Sequence, residues 1–176
     1  MTFVLSGMAA AKPATHAKTT HASGTDDTKL RLELAKETTT VNGLMGQVSS
    51  RQELKQDFLN SVAHESGVST QELANQIQKT GMNYGDLLVA NAIATGASKK
   101  FDQVEASHSS LSWAEIAGAY KVGLDTIITK LKNVSAAVAK AESDLQAKDQ
   151  KAQAAADKAA RDAAAKAAAA RHRRHR

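Results

Sequence analysis

The sequence predicts an all-α protein, and three observations carry that expectation. Three S-x-x-E capping boxes occur, at Ser50-Arg51-Gln52-Glu53, Ser69-Thr70-Gln71-Glu72 and Ser112-Trp113-Ala114-Glu115. In such a box the Ser oxygen accepts from the backbone N–H three residues on, and the Glu reaches back to the N–H of the cap. Each box precedes apolar residues at helical spacing. Gly67, Gly81, Gly96 and Gly123 then punctuate the intervals where helices must end and the chain must turn.

Taken in order, residues 1–28 read as a signal-like remnant followed by a disordered arm. Phe3 to Ala11 resembles the end of a secretory signal, a short apolar run closing on small residues, although no positively charged segment precedes it. Either translation starts upstream or this is an ordinary N-terminal arm. Export is the preferred expectation, with a cytoplasmic location as the alternative, because Ala9-Ala10-Ala11 supplies the small residues that signal cleavage requires. Lys12 to Thr28 holds no apolar residue larger than Ala and cannot bury enough to offset chain entropy. Residues 29–49 are ambiguous. Leu30, Leu32 and Leu34 alternate like a strand, whereas Leu34, Val41, Leu44 and Val48 suit a helix.

Residues 50–134 hold most of the large apolar side chains and form the expected compact helical domain, of roughly 80–100 residues. Beyond the three boxes, Asn83 is placed to cap the run Leu87-Leu88-Val89-Ala90, and Ser98 to cap a short helix carrying Phe101 and Val104. Six helices follow from Ser50 onward. Residues 135–170 read as an Ala/Lys-rich helical spacer and 171–176 as a basic tail.

A shift of 54 residues superposes Leu59, Val62, Ala63, Val68, Leu73 and Ile77 on Trp113, Ile116, Ala117, Val122, Ile127 and Leu131. Each stretch reads as a helix, a short turn and a second helix. The alanine lets the second helix cross closely, and the valine after the turn plugs the space between them. The pattern resembles the helix-turn-helix of DNA-binding proteins, more closely in the first copy, where Gly67 stands at the turn. That resemblance implies base contacts by Ser69, Thr70, Gln71 and Asn75. In the second copy Lys121 replaces the glycine. Duplex binding also needs phosphate contacts. Leu54 to Val134 carries seven Lys and no Arg against eight acids, so packing is the first reading of both pairs and DNA binding the alternative. The fold expected is therefore a small helical domain of two helix-turn-helix-like pairs with a long Ala-rich C-terminal helix.

A second resemblance spans about Gly67 to Leu131. Tyr84-Gly85-Asp86-Leu87-Leu88-Val89-Ala90-Asn91, then Phe101-Asp102, then Trp113-Ala114-Glu115-Ile116-Ala117, is similar to a group of small bacterial secreted proteins of unknown function. They share a Tyr-Gly-x-Leu-Leu-x-Ala-Asn segment followed by Phe-Asp and Trp-x-x-Ile-Ala. The resemblance implies an exported helical domain and brings no activity with it.

The chemistry-bearing residues form no recognised pattern. With no Cys there is neither a disulfide nor a thiolate site. None of the six histidines (His16, His21, His64, His108, His172, His175) stands four residues from another, and there is no phosphate loop or nucleophile elbow. Asp86 and Asp102 fit first helical turns, where the helix dipole favours acids. Trp113, Tyr84 and Phe101 are read as core before they are read as pocket walls. No enzyme activity, metal or cofactor is expected.

Charge is unevenly distributed. The chain carries +5, of which the last six residues supply four arginines and no acid. Arg171, Arg173, Arg174 and Arg176 therefore read as a hook for a polyanion (nucleic acid, anionic lipid or acidic polymer), or equally as a solubilising or appended tail. His172 and His175 gain charge below about pH 6.5, so polyanion binding should tighten in mild acid. Leu131, Val134, Val138, Ala141 and Leu145 keep the three-and-four spacing of a coiled coil and fit weak self-association. Beyond them the stripe is alanine, a strong helix former that buries little. No stretch is long and apolar enough to span a membrane.

Overall fold

The computed structural model describes residues 24–174, with side chains from 26 to 166. Seven helices run in order: α1 (Gly24–Val48), α2 (Gln52–Ser66), α3 (Thr70–Thr80), α4 (Tyr84–Gly96), α5 (Phe101–His108), α6 (Trp113–Ala119) and α7 (Leu124–Arg174). The all-α expectation holds, and no strand occurs among the described residues.

Helix α4 lies at the centre, and all six other helices pack on it. Its sequence is apolar on every side, the composition of a helix with no solvent face. Every residue from Leu87 to Ala94 is buried. Around it Phe58, Val62, Ile116, Ile127 and Leu131 are fully enclosed, each such side chain contributing about 1.5–3 kcal/mol of burial.

The ambiguous segment is helical and belongs to the core. Leu34, Val41 and Val48 recur every seventh residue and are buried, whereas Leu32 is 74 % exposed. A strand would have put Leu30, Leu32 and Leu34 on one face; a helix turns Leu32 away from its neighbours. The three threonines that weaken helix propensity are accommodated by back-bonding. Thr38, Thr39 and Thr40 Oγ1 donate to the carbonyls of Leu34, Ala35 and Lys36 at 2.8, 2.9 and 3.0 Å. The expected disordered arm is corrected at its end: Gly24 to Thr28 form the first turn of α1, with Asp26 and Asp27 at the positive end of its dipole. Residues 12–23 and the signal-like start lie outside the described residues.

The caps follow the sequence in part. Ser69 Oγ accepts from Glu72 N at 3.1 Å, and the Ser112 box closes both ways, with Glu115 accepting from Ser112 N at 2.8 Å. The Ser112 bonds hold the Glu115 carboxyl below its ordinary range. The Ser50 box does not form, because α2 starts one residue later, at an Arg51 cap with no side-chain bond. Ser98 caps nothing either. It sits at φ 53° in the loop, and α5 starts after Lys100, whose N–H donates to Gln103 Oε1 at 3.2 Å. Asn83 is the residue before α4, again without a side-chain bond.

The two expected helix pairs are α2/α3 and α6/α7, and their turns agree bond for bond. Val68 N donates to Ala63 O at 3.1 Å and Gly67 N to His64 O at 3.2 Å; Val122 N donates to Ala117 O at 2.9 Å and Lys121 N to Gly118 O at 3.1 Å. These are the two closures of a Schellman motif. Gly67 and Lys121 share the left-handed conformation at φ 73° and 58°. A third copy joins α4 to α5: Lys99 N donates to Ala94 O at 2.8 Å and Ser98 N to Thr95 O at 3.2 Å, with Ser98 left-handed. Sequence comparison misses this copy because Lys99 replaces the plugging valine.

Helix α7 runs unbroken for 51 residues, about 76 Å at the usual rise. The expected boundary between residues 134 and 135 therefore falls inside a continuous helix. Its stripe is spent within the chain. Leu131, Val134 and Val138 are buried against α1 and α2, and Ala141 and Leu145 are packed at the edge of the same core. The expected self-association stripe is therefore largely taken up within the chain, and only Ala141 and Leu145 keep a partly exposed edge. From Gln146 to Lys166 every side chain is exposed.

Candidate functional site

Helix α3 is the first place where sequence residues could meet a partner. Leu73 and Gln76 are buried and anchor it on α4, so the opposite face, with Ser69, Thr70, Gln71 and Asn75, is exposed. Gln71 Nε2 donates to Asn75 Oδ1 at 3.3 Å, which lines those two amides up along one side. The electrostatics beside them are balanced. Glu72 stands on the same helix, and Lys79 Nζ donates to Asp102 Oδ1 of α5 at 2.7 Å. That bond holds the Lys79 ammonium above the ordinary lysine range. A cleft of about 280 Å³ at this corner is lined by Glu72, Asn75, Lys79, Lys100, Phe101 and Asp102. Both signs of charge meet there, and a phosphate backbone would find few unpaired cations.

A second cleft, of about 370 Å³, opens between α1, α4 and α6 and is lined by Arg31, Leu34, Asn42, Asp86, His108 and Trp113. Asp86 organises it. Its Oδ1 accepts from Trp113 Nε1 at 2.8 Å and its Oδ2 from Asn42 Nδ2 at 3.0 Å. Asn42 Oδ1 in turn accepts from Gly85 N at 2.8 Å. One carboxylate at the start of α4 thereby ties α1 to α6. The His108 ring stacks on the indole, centroids 3.7 Å apart and planes 10° from parallel, and its Nδ1 lies 3.1 Å from Leu111 O. Of the three aromatic residues first read as core, Trp113 is buried but walls this cleft, Phe101 edges the α3–α5 cleft, and Tyr84 packs edge-on to Phe58 at 5.2 Å. Partial burial raises the Tyr84 phenol above its usual range.

These bonds explain the Tyr-Gly-x-Leu-Leu-x-Ala-Asn segment as an architectural pattern. Tyr84 meets Phe58, Gly85 lets α1 approach, and Leu87 and Leu88 fill the core. Asn91 exchanges two amide bonds with Gln76 of α3, at 3.2 and 2.8 Å, and gives a third to Leu87 O at 2.8 Å. Buried amides need such partners. Asn42, Gln76 and their roles were not legible in the sequence, since neither belongs to a periodic or spaced pattern. Asp86 was placed correctly in a first turn, but its partner lies 27 residues away.

The basic tail extends α7. Arg171, Arg173 and Arg174 fall in its final turn, and Arg176 lies outside the described residues. Among the described residues, no three His, Asp or Glu converge as a metal site requires, and no helix is long and apolar enough to cross a membrane. In comparisons with family models, curated proteins and solved structures, nothing matches this chain.

Proposed function

We propose that this chain is an exported, non-enzymatic helical binding protein in which a packed head carries a cationic arm to a polyanionic surface. The observation that carries the reading is the course of α7. It leaves the core after Leu145, continues with every described side chain exposed, and ends among Arg171, Arg173 and Arg174. From Gln146 to Arg176 the arm holds nine Lys or Arg against three Asp, whereas the preceding residues are close to neutral. Alanine supplies helix propensity without stickiness. Bonds such as Gln153 Nε2 to Asp157 Oδ1, at 2.9 Å, add support along the exposed helix. The arm spans about 43 Å from Gln146 to Arg174 at the helical rise, long enough to hold the charge well clear of the head.

The test is binding of the full chain, and of a chain ending at Ala170, to anionic vesicles, neutral vesicles, heparin and duplex DNA across a salt series. Binding to one or more anionic surfaces, weakening with salt and largely lost on truncation, supports the reading. Affinity unaffected by the truncation refutes it. The export half is checked by N-terminal mass spectrometry on fractionated source cells. A start at Lys12 or Lys18 outside the cytoplasm supports it, and an intact Met1 in the cytoplasm overturns it.

A second reading, a cytoplasmic DNA-binding protein, is favoured by the exposure of Ser69, Thr70, Gln71 and Asn75 on one face of α3. On that reading Gln71→Ala and Asn75→Ala abolish discrimination between duplex sequences. Equal binding of all sequences by the unaltered chain removes it.

A further inference from the structure

The groove between α2 and α7 carries an inference independent of the polyanion reading. It measures about 600 Å³, with Leu54, Ala137, Ala141 and Leu145 along its floor and Glu53 and Asp57 on its rim. Helix α2 runs antiparallel to α7 here: Arg51 meets Asp149 at 3.3 Å, and at the other end Asn133 Nδ2 donates to Glu65 Oε1 at 3.1 Å. The other rim carboxylates are compensated within the chain, Glu65 by Asn133 and Lys130, and Asp144 by Lys140 at 2.6 Å. Among the described residues Glu53 and Asp57 have no hydrogen-bond or ion-pair partner, although they stand four residues apart on one helix and repel each other. The two lysines that also line the groove, Lys140 and Lys148, both act on Asp144. An apolar floor of two leucines and two alanines beneath two uncompensated carboxylates fits a slender helix of net positive charge.

The chain itself contains such a helix. Beyond Leu145 and up to Lys166, α7 presents alanines interspersed with five basic residues (Lys148, Lys151, Lys158, Arg161, Lys166) and three acids (Asp149, Asp157, Asp162), and nothing covers the alanines among the described residues. Because α7 is continuous, its own arm leads away from its own groove, so the occupant has to come from another molecule. We infer that a second copy of this chain docks its Ala-rich arm in the α2–α7 groove, and that the exchange is reciprocal. Two arms laid antiparallel about a two-fold axis near Ala152 each reach the groove of the other copy. The incoming arm then runs parallel to α2, and this register brings Lys158 alongside Glu53 and Arg161 alongside Asp57. Alanine permits the close approach that longer side chains would block, and the two-fold repeats each contact, so the surface closes on itself rather than propagating. The apolar stripe from Leu131 to Leu145 stays within each head, and only its outer edge forms the floor.

Sedimentation equilibrium and light scattering on the full chain test this, at low and at molar salt. The expected result is a dimer in low salt that dissociates as salt rises. Glu53→Lys with Asp57→Lys should weaken it by about tenfold or more, because the symmetry counts each substitution twice. Both residues are exposed, so helicity and thermal midpoint report that the fold survives. Lys158→Glu with Arg161→Glu should weaken it equally, and combining all four reversals should restore the dimer. A monomer at every concentration in low salt overturns the inference. So does a dimer indifferent to both pairs of reversals, or a four-fold variant that stays monomeric. None of these outcomes depends on whether the arginine tail binds polyanions.

Discussion

Gly85 is the point of closest approach between α1 and α4, and replacing it with alanine should separate the two helices. A Cβ there would lie 2.6 Å from the carbonyl oxygen of Thr38 and 2.7 Å from Asn42 Oδ1. Comfortable contact begins near about 3.4 Å, so α1 must withdraw by roughly 0.8 Å. The first obstacle is backbone in the middle of a helix and cannot rotate away. Such overpacking costs about 1–3 kcal/mol. Displacing Asn42 also weakens its 2.8 Å bond from Gly85 N, worth about 1 kcal/mol. The gain in helix propensity returns up to about 1 kcal/mol. The net expectation is a loss of about 1–3 kcal/mol, or roughly 3–10 °C in thermal midpoint for a chain of this size. Gly43 on α1 is the internal control. Nothing lies within 4 Å of its added Cβ, so Gly43→Ala should stabilise by about 0.5–1 kcal/mol. Thermal and urea unfolding followed by circular dichroism reads both. If Gly85→Ala raises the midpoint as Gly43→Ala does, the close approach of α1 to α4 is wrong.

Three further outcomes follow from bonds and turns already described. Either Gln76→Leu or Asn91→Leu strands a buried amide and should cost about 1–3 kcal/mol; the double replacement should cost less than the sum, and strict additivity in urea melts would argue against the pairing. Lys121 pays for a left-handed backbone, so Lys121→Gly should stabilise by about 0.5–1 kcal/mol after the greater freedom of glycine in the unfolded chain is deducted; an unchanged midpoint would place Lys121 in an ordinary turn. Lys132 Nζ bonds to Glu33 across α1 and α7, and that bond with the lysine charge holds the Glu33 carboxyl below the ordinary glutamate range. A carboxyl depressed in the folded state stabilises above its unfolded value, and the stabilisation disappears as pH falls through the folded one. The difference in stability between the unaltered chain and Glu33→Gln should therefore shrink below about pH 4.5; a difference constant from pH 6 to pH 3 would remove the contact.

Much of the local structure was legible in the sequence, for reasons that are themselves local. Ser69 and Ser112 cap because a hydroxyl three residues before an N–H reaches it whatever the rest of the chain does. The repeat over 54 residues was visible because Ala63 and Ala117, like Val68 and Val122, solve one packing problem with one spacing. Ser50 and Ser98 do not cap because α2 starts after Arg51 and α5 after Lys100, which leaves Ser98 in the left-handed position of a helix-ending turn. The candidate residues Ser69, Thr70, Gln71 and Asn75 were found by type and position, and their exposure required knowing which face of α3 is anchored.

The sequence by itself determined the all-helical class, the helix count after Ser50, the apolar run Leu87-Leu88-Val89-Ala90 and the separation of a neutral body from a basic end. These depend on periodicity, capping and composition, which act over a few residues. Only the tertiary structure decided that α1 joins the core, that Asp86 ties Trp113 to Asn42, and that the stripe from Leu131 to Val138 is consumed inside the chain. It also exposed the unpaired carboxylates beside the α2–α7 groove. Each of these turns on which faces meet across tens of residues, and a side chain's own neighbours in sequence say nothing about the surface it will face once the helices pack.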